Sequence, residues 1–379
     1  MKIRFLFLAV LFAALFSCSV QKPMGNNPLE NVLTSQNPNI KRVMDSVAQY
    51  EVQIRYTQID RKKDSVIFTD YDFQVNTENY FYPASSVKFP TAVLALEKLN
   101  RTDELDKDTR FYIEGDSVET TFAQAISEIF AVSDNDANNR LVEFLGQDAI
   151  NSGLEENGVK PVRIAHRLGQ HSDALATKPL IIYQNDSTTT MLEGTFNTAP
   201  KPLKLKGIEK GSGFYEGDSL IAEPFDFSLK NYYPIQAQHG LLKRVIFPQN
   251  FTSEERFDLS AGQREFLLTA MHTVPRKKGY DPETYYDGYC KFFMFGDTKN
   301  DIPSHIKIYN KVGFAYGTLT DCAYITDREN GVEFMVTATI LVNKNGIFND
   351  DIYEYDEVGI PFLAELGRQL YDYGMHRKD

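Results

Sequence analysis

Tryptophan is absent from this chain of 379 residues, and cysteine occurs only three times, at Cys18, Cys290 and Cys322. Three cysteines cannot staple a small disulfide scaffold, and their spacing matches no metal-binding pattern. Without tryptophan, the large core pieces must come from 27 phenylalanines and 21 tyrosines. Positive charge is also short: 40 basic residues stand against 52 acidic ones, for a formal net charge of −12. A nucleic-acid partner needs a surplus of Lys and Arg on one face, so that class is excluded. After the start of the chain no apolar run is long enough to span a membrane. There is no internal repeat and no metal-ligand pattern, and no cofactor is expected. What remains is an ordinary globular composition, 42% apolar and 24% charged, with length for one large domain or two interlocked ones.

The one long apolar run covers residues 5–16 and follows Lys2 and Arg4. It is too short for a mature membrane helix and suits the apolar core of a signal peptide. It ends in Leu15-Phe16-Ser17-Cys18, which resembles the lipobox of bacterial lipoproteins. That resemblance implies removal of residues 1–17, a lipid on Cys18, export, and a membrane-anchored domain facing the periplasm. A secretory signal cut nearby, with Cys18 incidental, is the alternative. Loss of Lys2 and Arg4 would take the net charge to −14. Residues 18–37, with many Asn, Gln, Ser and Pro, are expected to be a flexible tether.

Ile40, Val43, Met44 and Val47 fall at helical spacing and predict a helix over 39–50. β-Branched and aromatic residues predict strands over 52–59 and 66–75. Helical periodicity returns over 85–99, 123–130 and 138–145. Residues 175–232, rich in Thr, Pro, Gly and Lys, read as an inserted excursion with short strand-like pieces such as 180–183. Helices are predicted over 239–245 and 261–272, then strands over 306–312, 320–326 and 332–342, and a closing helix over 362–373. Strands at both ends with helices between predict an α/β (α+β) fold spanning 38–379. In it a mostly antiparallel sheet drawn from both chain ends carries packed helices, with an inserted all-helical lobe.

Three short motifs carry chemistry. Ser85-Ser86-Val87-Lys88 opens a predicted helix, so the Lys88 amine shares a face with the Ser85 hydroxyl. A helix start also favours developing negative charge, which suits a nucleophile. The pattern alone is cheap, because Ser19/Lys22 and Ser304/Lys307 repeat it, and Pro90 early in the helix threatens a kink. Ser133-Asp134-Asn135 lies between two helical segments, where all three residue types also make good caps. Lys311-Val312-Gly313 ends a strand-like run and precedes Phe314-Ala315-Tyr316-Gly317-Thr318. A glycine there lets another group approach the strand backbone closely.

Together, and in this order, the motifs resemble the class A β-lactamase and penicillin-binding-protein superfamily. The stretch Tyr316-Gly317-Thr318-Leu319-Thr320-Asp321 is similar to the family's continuation of its Lys-Thr-Gly strand. The resemblance covers roughly residues 38–375 without the excursion. It implies that Ser85 attacks a carbonyl to form an acyl-enzyme and that Lys88, its pKa lowered by burial and by Lys311, acts as base. It further implies that Ser133 relays a proton to the leaving nitrogen and that Asn135 holds the substrate amide. Lys311 would draw an anionic substrate, and the backbone N–H groups of Ser85 and of Phe314, which follows Gly313, would form the oxyanion hole. The substrate would be a small molecule or a cell-wall peptide.

Two positions depart from the family pattern. The family's loop after Ser-Asp-Asn carries a Glu that activates the deacylating water, whereas 162–169 here contains no carboxylate. Asp173 is the nearest acid downstream, with His166 and His171 as other candidate bases or as structural residues. The family's Thr or Ser in Lys-Thr-Gly is Val312, which cannot donate a hydrogen bond. Three readings therefore stay open: β-lactam hydrolysis, a peptidoglycan DD-peptidase or other amidase or esterase, and a non-catalytic penicillin-binding-like lipoprotein of the cell envelope. Beyond these motifs, Cys290 and Cys322 are candidates for a disulfide, and Lys201, Lys204, Lys206 and Lys210 form a local basic run.

Overall fold

A computed structural model describes residues 27–377 apart from 64 and 170–172. Cys18, the segment expected to be a signal peptide and His171 lie outside the described residues. A five-stranded antiparallel sheet forms the centre, in the order Ile306–Ala315, Thr318–Asp327, Val332–Leu341, Gln53–Lys62, Ser65–Phe73. The expected joining of the two chain ends is the pairing of Gln53–Lys62 with Val332–Leu341, in which Ile54 faces Ala338. The second strand, Thr318–Asp327, is buried along its whole length because strands flank it and layers cover both of its faces.

One face of the sheet packs against the closing helix Ile360–His376 and the helices Pro28–Leu33 and Pro38–Met44. The first of these corrects the expected tether. From Pro28 the chain is helical and buries Leu29, Val32 and Leu33, with Pro28 at the helix start and Asn27 capping it. The compositional reading failed because Asn and Pro were serving as helix-start residues rather than as a linker.

The other face carries the helical lobe. Lys88–Asn100 is its central helix, buried on nearly all sides, and Pro90 lies in its first turn. There the missing N–H costs no intrahelical bond, so the expected kink does not arise. Around it pack Phe122–Ala131, Asn135–Leu145, Gln147–Glu156, Ile235–Ile246 and Ala261–His272. Helix Gln147–Glu156 was not foreseen: it buries only Gln147, Ile150 and Leu154, too few apolar positions to show periodicity. The lobe is also not purely helical. A four-stranded sheet ordered Thr120–Thr121, Arg110–Ile113, Leu180–Asn185, Thr188–Leu192 edges it, so the excursion supplies half of that sheet.

The rest of the excursion folds back toward the sheet end at Tyr316. Its hairpin Gly213–Glu216/Ser219–Ile221 is joined in parallel by Ile347–Phe348, from the segment after the last long strand. An aromatic cluster holds these parts together: Tyr80, Tyr82, Phe227, Tyr232 and Phe348 are buried, with Phe214, Phe225 and Tyr316 packed against them.

Candidate active site

Ser85 sits in a short 3-10 turn, Ala84–Val87, that runs directly into the helix starting at Lys88. Ser86 closes that turn by donating from Oγ to Pro83 O at 2.7 Å. Ala84 holds φ +46° and Ser133 holds φ +59°, both left-handed without being glycine. Such backbone costs about 1 kcal/mol or more at each position. At Ser133 the result is that its carbonyl and hydroxyl both turn toward the two motif lysines.

The Lys88 amine, 0% exposed, donates to Ser133 O, to Asn135 Oδ1 at 2.7 Å and to Ser133 Oγ at 3.3 Å. Lys311 approaches the same hydroxyl from the edge strand, at 2.8 Å, and also bonds Val312 O at 2.8 Å. The expected direct contact between Lys88 and Ser85 is not formed. Among the described residues Ser85 Oγ has no hydrogen-bond partner, and Ser85 lines the cavity. Within the Ser-Asp-Asn turn, Asp134 caps helix Asn135–Leu145 by accepting from Ala137 N at 2.7 Å, while Ser133 and Asn135 bond the lysines.

Gly313 explains how the edge strand meets the serine turn. A Cβ there would lie 2.6 Å from Pro83 O and 2.9 Å from both Ser85 N and Ser86 N. Strand alternation points Lys311 toward Ser133 and sends Val312, 1% exposed, into the core under the closing helix. Phe314, one residue further, is half exposed and lines the cavity mouth.

Burial lowers the Lys88 pKa well below the ordinary lysine value, and the nearby Lys311 charge lowers it further. Burial also brings Lys311 down to about 8, with Cys290 and Asp321 opposing the shift. Behind Lys311 lies a polar cluster that sequence reasoning missed. Buried Lys291 donates to Asn310 Oδ1 at 2.6 Å and to Met271 O at 2.8 Å. Asn310 in turn donates to Asp321 Oδ1 at 2.8 Å, and Asp321 accepts from Phe292 N at 3.1 Å. Burial raises the Asp321 pKa and lowers that of Lys291. Both Cys290 and Cys322 are buried free thiols, so the disulfide considered for them is not formed.

The loop opposite Ser85 has no carboxylate to offer. His166 borders the cavity, but its Nδ1 bonds Arg167 O and its Nε2 accepts from Asn231 N at 3.3 Å. Burial lowers its pKa to about 4, so it is neutral and fully engaged near pH 7. Asp173 is exposed and does not line the cavity. Arg167 ties the loop down through a two-pronged pair with Glu143, at 2.6 and 2.8 Å. Of the basic run, Lys210 pairs with Glu51 and the other three lysines are exposed.

The cavity itself has a volume of about 560 Å³. Ser85, Asn135 and His166 line it, as do a second group made up of Lys230, Tyr316, Asn349, Asp351, Tyr353 and Tyr355. Only Tyr316 among that second group stood in a motif. The others had no signal beyond an Asn-Asp-Asp turn next to tyrosines. Among the described residues no group of three or more His, Cys, Asp or Glu side chains is placed to hold a metal ion.

The serine that opens a buried helix, the Ser-Asp-Asn turn and the Lys-x-Gly edge strand are thus brought together beside one cavity. Comparison with known proteins agrees. Residues 37–194 match the model of the Beta-lactamase enzyme family. The fold is similar to the crystal structure of TLA-1 extended-spectrum β-lactamase, at 15% identity, TM-score 0.54, covering 92% of this chain and 99% of that one. It is also similar to the chromosome-encoded β-lactamase of Vibrio parahaemolyticus, at 14% identity, TM-score 0.53, with 89% and 99% covered. A class A β-lactamase from Bacteroides cellulosilyticus gives 13% identity, TM-score 0.51, with 92% and 98% covered. No curated protein matches the chain in sequence. The mixed α/β fold that the resemblance implied is therefore borne out, and the family model matches the resemblance over residues 37–194. The family match spans Ser85, Lys88, Ser133 and Asn135, whereas Lys311, Gly313 and Phe314 lie beyond it and are brought to the site by the fold.

Proposed function

We propose that the chain is an active-site serine hydrolase, acylated at Ser85 by an amide or β-lactam and slow to release the acyl group. The observation that carries this reading is the convergence of Lys88 and Lys311 on one hydroxyl, Ser133, next to Asn135, which binds Lys88 and lines the same cavity as Ser85. A neutral Lys88 amine has two N–H groups, and Ser133 O and Asn135 Oδ1 can only accept from them. Its lone pair is then left for a proton. As Ser85 Oγ attacks the carbonyl carbon, its proton passes to Lys88; Ser133 then gives its own proton to the nitrogen as the C–N bond breaks and takes one back from Lys88, which donates to it. Lys311 keeps positive potential beside Ser133 for an anionic substrate, and the Ser85 and Phe314 N–H groups would stabilise the oxyanion.

Deacylation has no comparable support. Water would have to attack the Ser85 ester without a loop carboxylate, and His166 is committed to two internal bonds. That favours a penicillin-binding protein or DD-peptidase-like amidase over an efficient β-lactamase. The five polar motif residues oppose a purely non-catalytic role. Export and anchoring at Cys18 remain part of the proposal on the strength of residues 1–18 alone, and membrane fractionation of the expressed full chain tests them.

The deciding experiment incubates the protein with a penicillin and follows intact mass. A Ser85 adduct lasting hours is expected, and Ser85→Ala should form none. Absence of any adduct would sink the reading, and rapid turnover would restore β-lactam hydrolysis.

A further inference from the structure

The excursion and the segment after the last long strand give the cavity a wall whose chemistry differs from that of its Ser85 side. Basic groups lie behind its Ser85 side, where Lys88 bonds the lining residue Asn135 and Lys311 bonds Ser133. Elsewhere the lining carries one carboxylate, Asp351, near the rings of Tyr353 and Tyr355, together with Phe314 and Lys230. Tyr355 stands 5.8 Å from Phe314 at 78° and 5.4 Å from Tyr353 at 45°, so the three rings form an angled surface.

Two consecutive acids in this segment have different fates. Asp350 is used by the turn, accepting from Asn345 Nδ2 at 2.7 Å and from Ile352 N at 3.0 Å. Asp351 has no hydrogen bond or ion pair among the described residues. Its backbone is left-handed, at φ +58°, as is that of Asn349 at +59°. Asn and Asp accept this conformation more readily than most residues.

The wall is braced from several sides. Ser212 N donates to Gly346 O at 2.8 Å, and Asn349 Nδ2 donates to Tyr215 O at 3.1 Å, both across to the excursion. Gly317 N donates to Tyr355 Oη at 2.8 Å, and Asn349 N donates to Tyr353 Oη at 2.9 Å. An unpaired carboxylate held on a braced aromatic wall needs little ordering to receive a cation.

We propose that this wall is a recognition subsite for a primary ammonium group on the substrate, held by Asp351 and the adjoining rings while the reacting carbonyl lies at Ser85. The proposal rests on the serine hydrolase reading for the position of the carbonyl. It narrows the substrate class to amides or β-lactams that carry an amine on one side and an anionic group on the other.

The test uses two penicillins identical except that the acyl side chain ends in a primary ammonium or in a methyl group. On the wild-type protein the ammonium compound should acylate faster, by about fivefold to tenfold at low salt, with the ratio shrinking as salt rises. Asp351→Asn should bring the ratio to within about twofold of unity. The same pair is then titrated calorimetrically onto Ser85→Ala and onto Ser85→Ala/Asp351→Asn, where binding alone is read. Equal affinity of the two compounds for Ser85→Ala, or a preference that survives Asp351→Asn, would overturn the subsite. Failure to acylate wild-type protein while the Asp351-dependent binding preference persists would instead sink the hydrolase reading and leave the subsite standing.

Discussion

Replacing Gly313 by alanine tests the architecture of the site with a single methyl group. No left-handed φ is involved, so the requirement for glycine is steric. The new Cβ would lie 2.6 Å from Pro83 O and 2.9 Å from the Ser85 and Ser86 nitrogens, whereas ordinary contact begins near 3.4 Å. All three atoms are backbone, so no side chain can swing aside. Either the edge strand or the serine turn must retreat by about 0.8 Å, and the turn is already held by Ser86 Oγ on Pro83 O. Overpacking of this kind destabilises by about 1–3 kcal/mol. A displacement approaching 1 Å at a reacting centre costs about a hundredfold in rate. Gly313→Ala should therefore lower the second-order rate of Ser85 acylation by about two orders of magnitude, with the stability loss read by urea unfolding. A variant that acylates within about threefold of wild type and unfolds at the same urea concentration would refute the close approach of strand and turn.

Acylation should follow a bell-shaped pH profile, because it needs Lys88 deprotonated and Lys311 charged. The falling limb should lie near pH 8, where Lys311 loses its proton. Lys311→Ala should remove that limb and move the rising limb to higher pH, since the Lys311 charge helps to depress the Lys88 pKa; an unchanged profile would refute the assignment. For stability, the His166 pKa is lowered by burial from 6.5 to about 4, so the unfolded chain binds a proton in that window that the fold refuses. His166 stability is present above pH 6.5 and is lost as pH falls toward 4, by up to about 3 kcal/mol. Unfolding free energies for His166→Asn measured across that window should show a shallower slope, against a background from the other buried histidines.

Much of the fold was legible because its periodic segments are long. Residues 261–272 were expected as a helix and are one, capped by Ser260 with Gln263 in a capping box. The three late strands were expected and form, with Ile306–Ala315 running three residues beyond its predicted end. Other elements left no periodic trace. Helix Gln147–Glu156 presents mostly polar residues, and the helix Pro28–Leu33 is short enough for its capping residues to dominate its composition.

The chemistry divides along the same line. Local sequence decided that a serine would start a helix with a lysine one turn on, and that Ser133-Asp134-Asn135 would cap the next helix. It also decided the place of Gly313, since only the absence of a Cβ lets a strand lie against that turn. The order of the motifs along the chain was enough to suggest the superfamily. What only the tertiary structure decided is which groups face one another across long separations. Lys88 turned to Ser133 and Asn135 rather than to Ser85. Asp321 and Lys291 were buried together behind Lys311, and Asp351 was set on a wall assembled from two distant segments. Those outcomes depend on packing and desolvation at contacts between residues far apart in the chain. No local pattern of side chains encodes such contacts.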